Sequence, residues 1–79
     1  DTLKSVIDNE NLMKTLQVYF QKNEKLKETS QELFLHINTL HYRLNKIEVD
    51  TGLHFSKMSE KVKLYLATVC YWIVKTKGM

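Results

Sequence analysis

Apolar residues recur every three or four positions along most of the chain, which is the spacing of one face of an α-helix. One set predicts a helix over about residues 10–21, with Asn9 as its N-cap. A second set predicts a helix over about 26–33, in which Thr29 and Ser30 are small enough for another helix to approach closely. A short turn then leads to the next periodic segment, and two helices joined in this way predict a helix-turn-helix.

The segment after the turn predicts a helix over about residues 37–50. Leu40, Leu44 and Ile47 share its apolar face. Gly52 follows directly, and glycine is the usual residue at the left-handed position that closes a helix. We therefore expect this helix to end at Gly52, with Leu53 folding back onto the apolar face.

The last periodic segment predicts a helix over about residues 59–75, capped by Ser56 or Ser59. Apolar residues cover more than half of its circumference, including the stripe Val62, Leu66, Val69 and Ile73. One side of this helix can pack on the core, and the remaining apolar surface must be buried by something else. A partner subunit and other parts of a longer chain are equally good candidates.

Leu3, Val6 and Ile7 predict a short additional helix near the start, which makes about five helices in all. The chain has 79 residues, two glycines and no proline, a composition that favours continuous helices over a turn-rich β fold. We expect an all-α, compact helical bundle that forms a single domain over residues 1–79.

The net charge is +3 and the pI is near 9.0, which suits an anionic partner without resembling a polybasic tail. A single cysteine excludes an intrachain disulfide and is consistent with a reducing cytoplasm. No signal peptide is recognisable, and the longest apolar run, 64–74, is shorter than the ~20 residues of a membrane span. These features lead us to expect a cytoplasmic protein. Because the sequence begins at Asp1 and not at a methionine, we also expect it to be a fragment of a longer chain.

Neither a metal site nor a catalytic site is indicated. His36 and His41 lie about 140° apart around a helix, so they do not form a ligand pair. We expect His36 to be a turn or capping residue, His41 to be exposed and His54 to lie in a loop. Cys70 lies in the most apolar segment, where a buried thiol is unreactive. With no paired carboxylates and no glycine-rich phosphate loop, the sequence predicts no enzyme and no cofactor.

The polar side of the helix over 37–50 carries the strongest functional signal. Amide, hydroxyl, imidazole and basic groups gather opposite its apolar face: Asn38, Thr39, His41, Tyr42, Arg43, Asn45 and Lys46. Such groups can contact base edges and phosphates when they lie on a recognition helix. Periodicity alone, however, favours a face that is merely solvated.

Two segments carry a resemblance to a known family: LHINTLHYRLNKIEVDTGL and, upstream of it, LMKTLQVYFQKN. Over roughly residues 11–73, the sequence resembles the C-terminal helix-turn-helix domain of PucR-type transcriptional regulators. The resemblance implies a Fis-like helix-turn-helix with a supporting helix over 26–33 and a recognition helix over 37–50. It also implies an upstream sensor domain that is missing from this chain. Family members commonly carry Arg at the positions of Ile37 and His41, and related modules tolerate Gly or a small polar residue at the position of Phe34.

The resemblance implies that this is a DNA-binding module, and it transfers contact roles to Asn38, Thr39, Tyr42 and Arg43, where the residues match the family pattern. The full set of contacts is our own expectation. Base contacts in the major groove fall to Asn38, Thr39, His41 and Tyr42. Phosphate contacts fall to Arg43, Asn45, Lys46, Lys25 and Lys27. One module buries only ~600–1,000 Å², so we expect a homodimer on double-stranded DNA, with the C-terminal helix as the candidate interface. The alternative is a helical protein–protein interaction or dimerisation module that has lost DNA binding.

Overall fold

Four α-helices make up the computed structural model, which describes residues 9–77, with side chains as far as residue 75. They are α1 (Glu10–Gln21), α2 (Leu26–Leu33), α3 (Ile37–Thr51) and α4 (Met58–Lys77). The all-α class is confirmed, although the described residues contain four helices and not about five. The helix predicted around Leu3, Val6 and Ile7 lies outside the described residues.

Helix α1 is the central element, because it packs against each of the other three helices. Leu12, Met13 and Leu16 are buried in the core that these helices share. The predicted N-cap is confirmed, since the Leu12 N–H donates to Asn9 Oδ1 at 3.2 Å.

The α1–α2 connection is a Schellman turn, in which two backbone N–H groups donate back into the last turn of the helix. The Asn23 N–H donates to the Phe20 carbonyl at 3.0 Å and the Glu24 N–H to the Tyr19 carbonyl at 2.8 Å. Asn23 and Glu24 both have positive φ, at 57° and 64°. The chain therefore reverses sharply enough for α2 to return along α1.

Helix α2 approaches its neighbours through the two small residues that the sequence singled out. Thr29 and Ser30 are buried, and their hydroxyls donate to the carbonyls of Lys25 and Lys27 at 2.7 and 2.8 Å. Burial therefore leaves neither hydroxyl without a hydrogen bond. The small side chains allow α2 to pack closely against both α1 and α3.

Gly52 closes α3 as predicted. Its φ is 72°, and its N–H donates to the Glu48 carbonyl at 2.8 Å. A Cβ at this position would meet no atom within 4 Å, so the glycine is needed for its backbone conformation and not for space. Leu53 is partly buried and packs on the core that contains Ile47.

Two carboxylates hold the loop between α3 and α4. Glu48 accepts from the Phe55 N–H at 2.9 Å, and Glu60 accepts from the His54 N–H at 2.8 Å. Because α4 begins at Met58, its N-cap position is Lys57, whose carbonyl accepts from the Lys61 N–H at 2.8 Å. The predicted caps Ser56 and Ser59 are therefore wrong: Ser56 precedes the cap position and Ser59 lies inside the helix.

Helix α4 packs on α1 through Leu64, Ala67 and Thr68, which are all buried. Cys70 is exposed, which overturns the expectation that it is buried. The reason is geometric, since Cys70 lies about 120° around the helix from Leu64, the centre of the packed side. None of the helices between residues 9 and 77 is long and apolar enough to span a membrane.

Candidate nucleic-acid interface

Helix α3 presents an open polar face on the side away from the core. Leu40, Leu44 and Ile47 are buried beneath it. The amide, hydroxyl and imidazole residues predicted for this face are all exposed, namely Asn38, Thr39, His41, Tyr42 and Asn45. The structure thus brings these five predicted site residues onto one accessible helix.

The N-terminus of α3 is capped by a histidine. The Asn38 N–H donates to His36 Nδ1 at 3.1 Å, and His36 itself is extended. No acidic residue lies in the first turn of α3, so the positive end of the helix dipole is not neutralised near Asn38 and Thr39. Such an end favours an anion. The expectations for the histidines are confirmed, since His36 caps, His41 is exposed and His54 lies in an exposed loop.

Arg43 lies at the margin of the polar face and is half-buried. Its Nη1 donates to Thr15 Oγ1 of α1 at 3.4 Å, which orients the guanidinium between α1 and α3. A guanidinium carries five N–H donors, so this one hydrogen bond leaves capacity for another acceptor. The sequence did not predict a role for Thr15 in the site. Its helical spacing is that of a buried residue, which does not indicate a contact with Arg43.

The lysines predicted to contact phosphate lie on α3 and at the start of α2, and two of them pair with carboxylates. Lys46 pairs with Asp50 at 3.3 Å within α3, and Lys25 pairs with Glu28 at 3.9 Å at the start of α2. Lys27 is exposed. Exposed ion pairs of this kind are weak, so a phosphate can compete for the lysines.

The turn between α2 and α3 exposes a large aromatic side chain. Phe34 is 95% exposed and has a φ of 55°. It borders a concave surface that also includes Lys14 and Arg43. The sequence marked Phe34 as unusual for a turn but gave no sign of its full exposure.

The two positions at which the resemblance leads one to expect cations have different environments. Ile37 is partly buried and packs on the core, whereas His41 is exposed. A cation at position 41 would therefore reach solvent, whereas a cation at position 37 would replace a side chain that packs on the core.

Val49 is a member of this face that the sequence reasoning missed. It is 72% exposed and lies three turns after Asn38 on the same side of α3. Its spacing from Asn38 and Tyr42 could have revealed it. An apolar side chain here adds a surface suited to apolar contact, such as that with a thymine methyl group.

The residues of this surface carry hydrogen-bonding groups but no arrangement for metal chemistry. Within residues 9–77, no group of three His, Cys, Asp or Glu side chains is placed to hold a metal ion.

Comparison with known families decides what kind of helix-turn-helix this is. The family model for the PucR C-terminal helix-turn-helix domain matches residues 12–69. The chain belongs to this family. The match includes α2, the turn and α3 in full, and thus the whole polar face.

Curated relatives of this PucR-type domain include named transcriptional regulators. It is 42% identical over 65 residues to the carbohydrate diacid regulator of Escherichia coli, a match that covers 82% of this chain and 17% of that protein. It is 40% identical over 55 residues to the proline-responsive transcriptional activator PutR of Bacillus subtilis, covering 70% and 13%. An uncharacterised protein of Haemophilus influenzae is 55% identical over 62 residues, covering 78% and 17%.

The chain spans less than a fifth of the length of each of these relatives. No solved structure gives a significant match. The PucR-type domain is a DNA-binding module of a transcriptional regulator, and the alternative of an interaction module that has lost DNA binding is not favoured. Its family is one of regulators, which are not in general enzymes.

Proposed function

We propose that α3 is the recognition helix and that it reads base edges in the major groove of double-stranded DNA. The observation that carries the proposal is the open polar face of α3, which follows the turn in a chain of the PucR family. α2 serves as the supporting helix, because its small buried side chains allow it to pack under α3. Residues 1–79 would then form one DNA-binding domain.

Base recognition falls to Asn38, Thr39, His41 and Tyr42, which occupy the first half of α3 and are exposed. Amides can form two hydrogen bonds with adenine, and threonine can contact bases through its hydroxyl or its methyl group. The capped N-terminus adds backbone N–H groups that favour phosphate.

Phosphate contacts fall to residues around the rim of the face: Arg43, Asn45, Lys46, Lys25 and Lys27. A long hydrogen bond to Thr15 links the Arg43 guanidinium to α1, which favours one direction of this side chain before DNA binds. Lys46 and Lys25 would exchange Asp50 and Glu28 for phosphate. These contacts fix the position of the module on DNA without reading the sequence.

We further propose that the domain belongs to a longer cytoplasmic regulator with an upstream sensor domain. Support comes from the named relatives, which are much longer than this chain. The E. coli relative is named for carbohydrate diacids and the B. subtilis relative for proline, so a small metabolite is the expected class of effector. The active form would be a homodimer that places two modules on half-sites about one helical turn apart.

Selection of bound sequences from a random duplex library, with the 79-residue chain as bait, tests the assignment. Asn38→Ala should broaden the selected motif, because it removes a base contact. Arg43→Ala should weaken binding to all sequences while leaving the motif unchanged. Lys63→Ala is the control, since Lys63 is exposed on α4 and not on the proposed interface. Failure of the wild-type chain to enrich or bind any duplex at low salt would refute the proposal.

A further inference from the structure

Helix α4 carries a broad apolar surface that the other helices within residues 9–77 leave largely uncovered. This α4 face consists of Met58, Val62, Tyr65, Leu66, Val69, Trp72 and Ile73. All but the half-buried Val69 are between 43% and 68% exposed. The seven residues occupy an arc of about 120° that contains no charged side chain. Exposed apolar patches of this kind mark interaction sites.

The middle of the α4 face has the spacing of a two-helix seam. Val62, Leu66, Val69 and Ile73 follow one another at intervals of four, three and four residues. This is the alternation of d and a positions in a heptad repeat. The occupant that fits such a seam is another amphipathic helix.

We infer that the α4 face pairs with α4 of a second copy of this chain, in antiparallel orientation. Reversing the helix about a point midway between Leu66 and Val69 places each of these residues opposite the other. The same reversal places Val62 opposite Ile73 at both ends of the seam. The apolar stripe is thus complementary to itself, as a two-fold interface requires.

The residues beside the seam favour the same pairing. Tyr65 of one copy and Trp72 of the other lie on the same flank of the seam, offset by about two residues along the helix axis, so these large rings can meet on either side of the two-fold axis. Tyr65 is already oriented by an edge-to-face contact with Phe20, at 5.5 Å and 87°. An antiparallel pair also opposes the two helix dipoles and keeps the ends that carry Lys75 apart.

The size of the face agrees with a weak dimer. Its exposed side chains offer on the order of 600 Å² per copy, against ~800 Å² per partner in a standard interface and a practical minimum of ~1,000 Å² in total. The dimer should therefore dissociate on dilution. Since α4 packs mainly on α1, pairing leaves the polar face of α3 available. The inference names the interface of the homodimer in the proposed function, but it does not depend on DNA binding.

Sedimentation equilibrium of the 79-residue chain without DNA is the first test. The wild type should show a concentration-dependent monomer–dimer equilibrium, and Ile73→Glu should weaken it by about tenfold or more. Val74→Glu is the matched control, because Val74 is 70% exposed on the same helix but lies outside the α4 face. Circular dichroism would establish that each variant is folded. A folded wild type that stays monomeric, or equal effects of the two variants, would overturn the inference.

Cysteine cross-linking tests the orientation. In a Cys70→Ser background, chains with Val62→Cys and chains with Ile73→Cys are mixed and mildly oxidised. The antiparallel pair predicts a disulfide between the two kinds of chain and little dimer from Val62→Cys alone. Efficient cross-linking of Val62→Cys to itself would instead show a parallel pair and overturn the inference. Binding of duplex DNA by the monomeric Ile73→Glu chain would show that the proposed function does not require this interface. The two proposals can therefore fail independently of each other.

Discussion

Phe34 combines two features that each oppose stability. It is 95% exposed, so its ring gains little from packing, and its φ of 55° is the left-handed conformation that glycine adopts freely. Its N–H donates to the Gln31 carbonyl at 3.2 Å, and the Leu35 N–H donates to the Ser30 carbonyl at 2.9 Å. These bonds form a Schellman turn with Phe34 at the position where glycine is usual.

Phe34→Gly should therefore stabilise the domain. A side chain other than glycine in this conformation costs roughly 1–2 kcal/mol, and a gain of about 1 kcal/mol would raise Tm by about 4–8 °C in a domain of this size. Thermal unfolding followed by circular dichroism measures the change. Asn23→Gly is the control: Asn23 has the same role after α1, but asparagine tolerates a positive φ, so the gain should be smaller. An unchanged or lower Tm for Phe34→Gly would show that the ring contributes packing that its exposure does not reveal.

Folding alters the titration of Tyr19. Burial raises the pKa of its phenol above the ordinary value of 10.0, and the nearby carboxylates of Glu24 and Glu48 raise it further. The ring also makes an edge-to-face contact with Phe55, with centroids 5.2 Å apart. The α1–α2 turn and the α3–α4 loop thus meet at one phenol.

The raised pKa of Tyr19 predicts a loss of stability in alkali. Above about pH 10 the unfolded chain releases the phenolic proton before the folded chain does, so the free energy of unfolding falls as pH rises. Below that pH both states keep the proton and the effect is absent. Urea unfolding at about pH 8 and about pH 10.5 should show a larger drop for the wild type than for Tyr19→Phe. Equal drops in the two proteins would exclude Tyr19 as the source.

At the scale of the helices, the sequence predicted most of what the structure shows. The predicted ends of α2 match the observed ends, and the predicted ends of α3 and α4 lie within two residues of the observed ones. The agreement is close because apolar periodicity and a closing glycine are local signals. The cap of α4 was wrong because Glu60, not a serine, holds the preceding loop. The exposure of Cys70 was missed because apolar residues cover more than half of the circumference of α4, so their spacing does not reveal which side meets the core.

The site was predictable in the same measure. Asn38 and Tyr42 are exposed because they lie opposite the buried seam of α3, which the spacing of Leu40 and Leu44 reveals. The contact between Arg43 and Thr15 joins residues 28 positions apart, so only the packing of α3 on α1 could show it. The roles of these residues in DNA binding stay a prediction.

Helix α3 offers one position where an added cation should strengthen DNA binding. His41 is exposed on the polar face, at one of the two positions where the resemblance leads one to expect a cation. His41→Arg should lower Kd and make the slope of log K against log salt steeper by about 0.9 for each copy bound. Fluorescence anisotropy titrations over a range of salt concentrations measure both.

Ile37→Arg is the contrasting variant. Ile37 is partly buried against the core, so the guanidinium would gain a phosphate contact only at the expense of packing. Its Tm should fall, whereas that of His41→Arg should hardly change. If His41→Arg left both Kd and the salt slope unchanged, position 41 would not face phosphate.

At the scale of the whole molecule, α1 separates two surfaces of different chemistry. The polar face of α3 and the apolar α4 face belong to helices that both pack on α1 and touch each other little. One surface can therefore bind DNA while the other pairs with a second copy. The sequence could not show this arrangement, since it depends on which sides of α3 and α4 the central helix covers.

This arrangement predicts a specific salt dependence of DNA binding. The proposed phosphate contacts include four cations, Lys25, Lys27, Arg43 and Lys46, so one copy should give a slope of log K against log salt of about −3.6. Two copies paired through α4 on adjacent half-sites should give about −7. The wild-type chain should approach the second value on a duplex with two half-sites, and the monomeric Ile73→Glu variant the first. A slope near zero would exclude the phosphate contacts, and identical slopes for the two proteins would mean that pairing through α4 plays no part on DNA.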